Sequence, residues 1–299
     1  MYRIRTALLF LVLTRPFLAW AIDLQPNDIV APPPDINAIT ISYFNTENST
    51  AYVNGSVKAT PAIYANPVID TQLAILRGAR TYTLGELPAV SYIQLPYGTM
   101  RPAGSLAAQP SDTGIGDLTI ATAIWPYADK VNRTYVGVAA YFISPTGSYS
   151  SQRAFNLGEN RFRSDLQIGF QTPITKSVDG MVAVDTMWFG GNGQCGVACT
   201  GGATIASLTQ KPLTTTQLGP IWRINQIFTV GASYFYVAGG ATSINNNYRN
   251  NVVNTQRFLL SSQAHTPIGR ISLQYGRDME IKNGFVQTRV LAVRLMKDF

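Results

Sequence analysis

The chain has 299 residues, 46% of them hydrophobic and only 13% charged, with 25 Gly, 17 Pro and 15 Tyr. Soluble domains carry about 25% charge, so polarity here comes from Ser, Thr, Asn, Gln and Gly; that mixture suits strands with one wet face and excludes a disordered chain. One His and two Cys exclude a histidine-based metal centre and a scaffold of many disulfides, and nothing in the composition calls for a cofactor.

At the start of the chain, Arg3 and Arg5 form a basic stretch and TALLFLVL at 6–13 an apolar one. Ala19-Trp20-Ala21 then supplies a small-x-small cleavage site. This is the layout of a secretory signal peptide cut after Ala21. A helical anchor is excluded because Arg15-Pro16 interrupts the run well short of the ~20 apolar residues needed to span a bilayer. The leader carries Arg3, Arg5 and Arg15 and no acidic residue, so its loss takes the net charge from +7 to +4. Export and the lack of a basic run exclude a nucleic-acid partner. Residues 22–37, with Pro26 and Pro32-Pro33-Pro34, are too polar and proline-rich for a membrane strand. They are expected as an extended periplasmic arm, with a plug entering a barrel from below as the second reading.

From residue 38 to 299 the chain reads as all-β. Twelve segments rich in Val, Ile, Thr, Tyr and Phe and bounded by Gly, Pro and Asn are expected as strands. They are Ala38–Thr46, Ile69–Arg77, Ala89–Leu95, Ile115–Trp125, Thr134–Ser144, Asn160–Gln171, Met181–Phe189, Leu213–Arg223, Ile227–Ala238, Asn254–Ala264, Gly269–Arg277 and Gly284–Leu295. Most have the nine to eleven residues, roughly, that a tilted strand needs to cross a bilayer. Alternation is clearest in the sixth: Phe162, Ser164, Leu166, Ile168 and Phe170 point one way, and Arg161, Arg163, Asp165, Gln167 and Gln171 the other. The seventh, ninth and eleventh alternate similarly.

The connections decide between a soluble sandwich and a membrane barrel. Long gaps at Pro96–Gly114, Pro145–Glu159, Gly190–Pro212 and Gly239–Val253 take turns with short ones at Pro126–Arg133, Pro173–Gly180 and Ile224–Gln226. Long loops at one end and tight turns at the other are the habit of outer-membrane barrels. Trp125, Trp188 and Trp222, with Tyr97, Tyr141, Phe162, Phe170 and Tyr236, fall at segment ends and are expected in the aromatic girdles at the two lipid interfaces. The expected fold is a transmembrane antiparallel up-and-down β-barrel of about twelve strands in the bacterial outer membrane. Its partners are outer-membrane lipid and, through the terminal Phe299 after Leu291, Val293 and Leu295, the barrel-assembly machinery.

A lipid-facing Arg at mid-membrane costs roughly 2–4 kcal/mol. Arg161, Arg163, Asp165, Asp185, Arg223, Arg257, Arg270 and Arg294 sit within segments and are therefore expected to face the lumen. Two roles stay open for them: bracing the wall with ion pairs, and lining a path for a polar or anionic solute. Cys195 and Cys199, in an exported chain, are expected to form one local disulfide. His265 falls in an expected periplasmic turn, the wrong end for a barrel hydrolase, so the chain is read as a non-enzyme with no catalytic residues.

Several stretches resemble the MetA-pathway of phenol degradation family. They are Asp23-Leu-Gln-Pro-Asn-Asp-Ile-Val-Ala-Pro-Pro-Pro, Gly114-Ile-Gly-Asp117 with Leu118-Thr-Ile, and Ser144-Pro-Thr-Gly-Ser-Tyr149 followed by Asn156-Leu-Gly-Glu-Asn160. The tail around 273–299 adds to them. Gly, Pro, Asn and Asp in these motifs point first to turn chemistry, ahead of ligand contact. The resemblance implies an outer-membrane barrel for passive uptake of small hydrophobic or aromatic compounds. The alternative is a structural or adhesive barrel with a blocked lumen that acts through its loops.

Overall fold

The structure is a computed structural model that describes residues 22–299. The expected leader and its cleavage point lie outside the described residues. Twelve long strands run in chain order: β1 Asn37–Val53, β2 Pro67–Leu84, β3 Leu87–Gly104, β4 Leu118–Asp129, β5 Thr134–Ser144 and β6 Arg163–Pro173. They continue with β7 Val178–Phe189, β8 Leu213–Arg223, β9 Phe228–Gly239, β10 Val253–Thr266, β11 Gly269–Ile281 and β12 Gly284–Asp298. Each pairs antiparallel with its neighbours, and β12 pairs with β1 from Ala38↔Asp298 to Tyr52↔Gly284. The sheet therefore closes into an up-and-down barrel and leaves no open edge in the wall.

Each of the twelve expected segments overlaps one of these strands, with 115–117 and 160–162 left in the outer loops, and Thr134–Ser144 and Leu213–Arg223 coincide with β5 and β8. β1, β2 and β3 run further than expected. Pro96 does not end β3, because its carbonyl accepts from Gly116 N while Ile75 and Pro96 stay in register on the other side. The tight turns 85–86, 130–133, 174–177, 224–227 and 267–268 gather at the end where Asn37 and Phe299 exchange backbone hydrogen bonds. The opposite end carries the loops 54–66, 105–117, 145–162, 190–212 and 240–252, together with the short hairpin at 282–283.

The two faces of the wall differ as a barrel in a bilayer requires. Ile41, Leu76, Phe142, Ile168 and Leu273 point outward and are each about half exposed, whereas Gln94, Gln171, Gln217 and Gln263 point inward and are buried. So wide an apolar surface has no counterpart on a water-soluble monomer. Trp188, Trp222, Tyr97, Phe162, Phe170 and Tyr236 lie on the outer face. Trp125 and Tyr141 do not: both are on the inward phase and buried, a correction to the girdle expectation. The register shifts between Ile124 and Tyr127, and Trp125 spends its N–H on an interior carbonyl; Tyr141 Oη donates to Gln167 inside the lumen.

Outside the wall, Asn192–Cys195, Ala206–Gln210, Thr242–Ile244 and Asn247–Tyr248 form a small four-stranded sheet from the outer loops. Cys195 and Cys199 are disulfide-bonded there, with Cα atoms 5.6 Å apart, and pack against Leu208 and Ile244. Inside the outer half of the cylinder, Phe44, Ile69, Leu73 and Met100 from the wall pack against Tyr64, Leu106 and Leu157 from infolded loops.

Candidate functional site

The segment expected first as an external arm lies within the cylinder in this structure. Its polar side chains and backbone groups meet lumen-facing groups strand by strand. Leu24 N donates to Gln217 Oε1 at 3.0 Å, and Gln25 Nε2 to Gln274 Oε1 at 2.9 Å. Asn27 Nδ2 donates to Gln263 Oε1 at 3.0 Å, and Trp125 Nε1 to the Ile29 carbonyl at 2.7 Å. Arg257 holds Asp23 at 2.6 Å and Arg294 reaches Asp28 at 3.4 Å. A backbone with no strand partner of its own is tolerated in a barrel because the polar wall satisfies it.

Between this segment and the wall is a cavity of about 700 Å³, within the usual range of small-molecule sites. Ile29, Val30, Val90, Tyr92 and Trp125 supply apolar and aromatic lining, and Arg77, Arg270 and Arg294 supply positive charge. Pro32, Pro33, His265 and Asp298 place its mouth toward the inner end. The three guanidinium groups share one stretch of wall. Arg77 is in register with Thr40 on β1, Arg294 with Ser42 on β1 and Ser272 on β11, and Arg270 with Met296 on β12. Arg77 bonds Gln94 and lies 4.3 Å from the Tyr92 ring, while Arg270 reaches the Met296 sulfur at 3.0 Å. Among the described residues neither forms a salt bridge, so the cavity keeps cationic character on one side and ring surface on the other.

At the outer end a polar knot ties the loops into the lumen. Asp112, fully buried, accepts from Ser148 Oγ at 2.6 Å and Leu157 N at 2.7 Å, and it pairs with Arg153 at 2.7 Å. Asp117 accepts from Gly147 N and Glu159 N and pairs with Arg163 at 3.1 Å. Arg163 also holds Glu159 at 2.8 Å. Gly147 and Gly158 pass so closely that a Cβ on either would come within 2.7 Å of the other's backbone. The G-x-G-D and P-T-G-x-Y…N-x-G-x-N motifs thus meet in one structure. Burial pushes the Asp117 carboxyl up against the pull of Arg163. Burial also pushes Glu159 up, but Arg163 and Arg161 outweigh it and hold its carboxyl below the ordinary value.

All eight sequence-selected charged residues lie on the lumen-facing phase, in separate groups. Arg161 and Arg163 belong to the outer knot, where Arg161 bonds Glu159 and Gln210 and lies 4.6 Å from the Phe189 ring. Asp165 and Asp185 sit beside each other on β6 and β7, toward the outer end. Arg257 and Arg294 hold the amino-terminal segment, and Arg270 faces the cavity. Arg223 joins Arg133 on Asp179 at the inner rim, each at 3.3 Å. Sequence reasoning missed Arg77 and Tyr92 as cavity residues. Arg77 follows Ile69, Leu73 and Ile75 on a phase whose hydropathy points to lipid.

Comparison with known proteins places this geometry among outer-membrane barrels. The fold matches the COG4313 outer membrane channel from Pseudomonas putida F1 with a TM-score of 0.85 at 23% identity, covering 93% of this chain and 100% of that one. It also matches the β domain of the Bordetella autotransporter BrkA with a TM-score of 0.54 at 10% identity, covering 89% of this chain and 100% of that one. No curated protein matches the sequence. The family model described as "Putative MetA-pathway of phenol degradation" matches residues 51–295, most of the barrel, and the chain belongs to that family.

Proposed function

We propose that the protein is a bacterial outer-membrane channel through which small hydrophobic or aromatic compounds pass without an energy source. The observation that carries this reading is the lined cavity beside an inserted segment held by side chains. Such a segment can leave without breaking the wall, since side-chain hydrogen bonds, two ion pairs and the packing of Ile22 and Ile29 tie it in, and none of these belongs to the strand ladder. Family membership supports aromatic solutes, and Tyr92 and Trp125 offer ring faces for them. The arginine side favours the members of that class that carry a carboxylate, which a guanidinium fork recognises bidentately. The reading assigns no chemical step to the chain.

Uptake by cells expressing the protein tests this reading against cells without it. Both benzoate and benzyl alcohol are expected to enter faster with the barrel present, and unchanged entry of both rejects the proposal. The double replacement Arg77→Gln and Arg270→Gln is expected to slow benzoate about tenfold, the size of a lost charge-assisted hydrogen bond, with benzyl alcohol unchanged.

One observation favours the second reading, a blocked barrel acting through its loops: the outer loops 190–212 and 240–252 build a small sheet of their own, tied to the loop 145–162 through Asn192. In that case deleting Gly191–Gly201 removes the phenotype while uptake by the intact protein equals that of empty cells.

A further inference from the structure

The tip of the inserted segment at Ile22 ends beside two carboxyl groups that no cation meets among the described residues. Asp165 is 3% exposed, and among the described residues its carboxyl meets no donor other than the Asp185 carboxyl. The Asp185 carboxyl on the neighbouring strand lies next to it. The arginines nearest in the chain are already engaged: Arg161 on Glu159, Arg163 on Asp117 and Glu159. Arg257 is held by Asp23. Two adjacent buried carboxylates with no counter-charge cost several kcal/mol. A proton shared between the two relieves part of that cost, and a cation brought to them relieves more, because both can then stay ionised.

The start of the same segment brings the candidate cation. Ile22 is buried and packs against Ala121, Tyr141, Ile143 and Met187. Its carbonyl accepts from Gln167 Nε2 at 3.2 Å. These contacts surround the acidic pair. Tyr141 and Met187 are the register neighbours of Asp165 on β5 and β7, and Gln167 is the register neighbour of Asp185, with which it also hydrogen-bonds. One side chain, Gln167, therefore touches both Ile22 and the acidic pair.

The leader reading supplies the charge. Hydrolysis of the Ala21–Ile22 bond by a signal peptidase adds water across it, leaving a carboxylate on Ala21 and an amine on Ile22. An α-amine has a pKa of about 7.7–8.0 and is largely protonated at neutral pH. Before cleavage the same nitrogen is a neutral amide. We propose that the ammonium created at Ile22 is the counter-cation of the Asp165–Asp185 pair, and that this bond latches the amino-terminal segment in the lumen. Leader removal then does more than release the chain: it manufactures the ligand for a site prepared in the wall. The proposal rests on cleavage after Ala21 and does not require the solute to be aromatic.

The test uses the mature chain, residues 22–299, refolded with its α-amine free or acetylated. Mildly acidic pH confines acetylation to the α-amine because lysines stay protonated there. Hydrogen exchange at 24–31 is expected to quicken about tenfold on acetylation, as loss of one buried ion pair implies. Exchange in β6 and β7 stays unchanged, which separates unlatching from misfolding. In the double variant Asp165→Asn, Asp185→Asn, acetylation is expected to make no further difference. Equal exchange for free and acetylated chains overturns the proposal, as does an acetylation effect that persists in the Asn pair. An intact mass showing that the exported protein begins at a residue other than Ile22 also overturns it. If the latch is found but aromatic uptake is not, the channel reading fails alone.

Discussion

Deleting residues 22–31 from the mature chain is expected to convert a nearly silent barrel into a conducting one in planar bilayers. The segment meets β4, β8, β10, β11 and β12 through the pairs centred on Trp125, Gln217, Gln263, Gln274 and Arg294, so its loss empties the middle of the lumen. The groups left behind are amides, arginines and the Asp165–Asp185 pair, all facing what becomes water, where they rehydrate. Conductance is expected to rise about tenfold or more, which is an opening equilibrium shifted by at least ~1.4 kcal/mol. Asp23→Asn offers a milder form. It breaks the 2.6 Å pair with Arg257 and leaves that guanidinium over the Phe235 ring, 4.1 Å away. More frequent brief openings are expected, with the closed level unchanged. A deletion variant as silent as the parent would mean that the outer knot closes the lumen by itself.

Arg163→Ala is expected to be the most damaging single replacement in the wall. Arg163 is 3% exposed and supports both Asp117, itself buried, and Glu159. Removing it leaves Asp117 buried without its cation and Glu159 with Arg161 alone, a loss of about 3–5 kcal/mol. Because Asp117 also anchors Gly147 N and Glu159 N, the loop 145–162 is expected to loosen together with the wall. The check is the temperature at which the detergent-solubilised barrel loses its compact gel mobility. Arg101→Ala is the control: that pair with Asp70 is 3.6 Å long and more than half exposed on the arginine side, so a change within about 0.5 kcal/mol is expected. Comparable shifts in both variants would contradict the placement of the knot.

How legible the sequence was depends on what fills the lumen at each height. β6 could be read because its inward residues are Arg163, Asp165, Gln167 and Gln171, so hydropathy separates the faces cleanly. β2 could not be read that way. Its inward residues Ile69, Leu73 and Ile75 meet Leu106 and Leu157 from infolded loops, so the wet side of the wall is the more apolar one there. Arg77 was hidden by the same inversion. Trp125 looked like a girdle residue because it stands at a strand end before Pro126, but the register shift at that point leaves it on the inner face, bonded to Ile29. Residues 22–31 carry Asp23, Gln25, Asn27 and Asp28. A segment bonding a polar wall has the same composition as one bonding water, and only the fold tells them apart. The family motifs pointed to turn chemistry, yet their meeting ties Asp117 to Gly147 and Glu159, 30 and 42 residues further on, which spacing does not reveal.

The central claim is that an aromatic solute crosses through this cylinder. Its most direct test is the influx of benzyl alcohol into vesicles whose outer leaflet is lipopolysaccharide, which itself slows apolar solutes, with and without the mature protein. The account predicts faster influx with the protein, and faster still when residues 22–31 are absent. Influx equal to that of protein-free vesicles for both forms would contradict it.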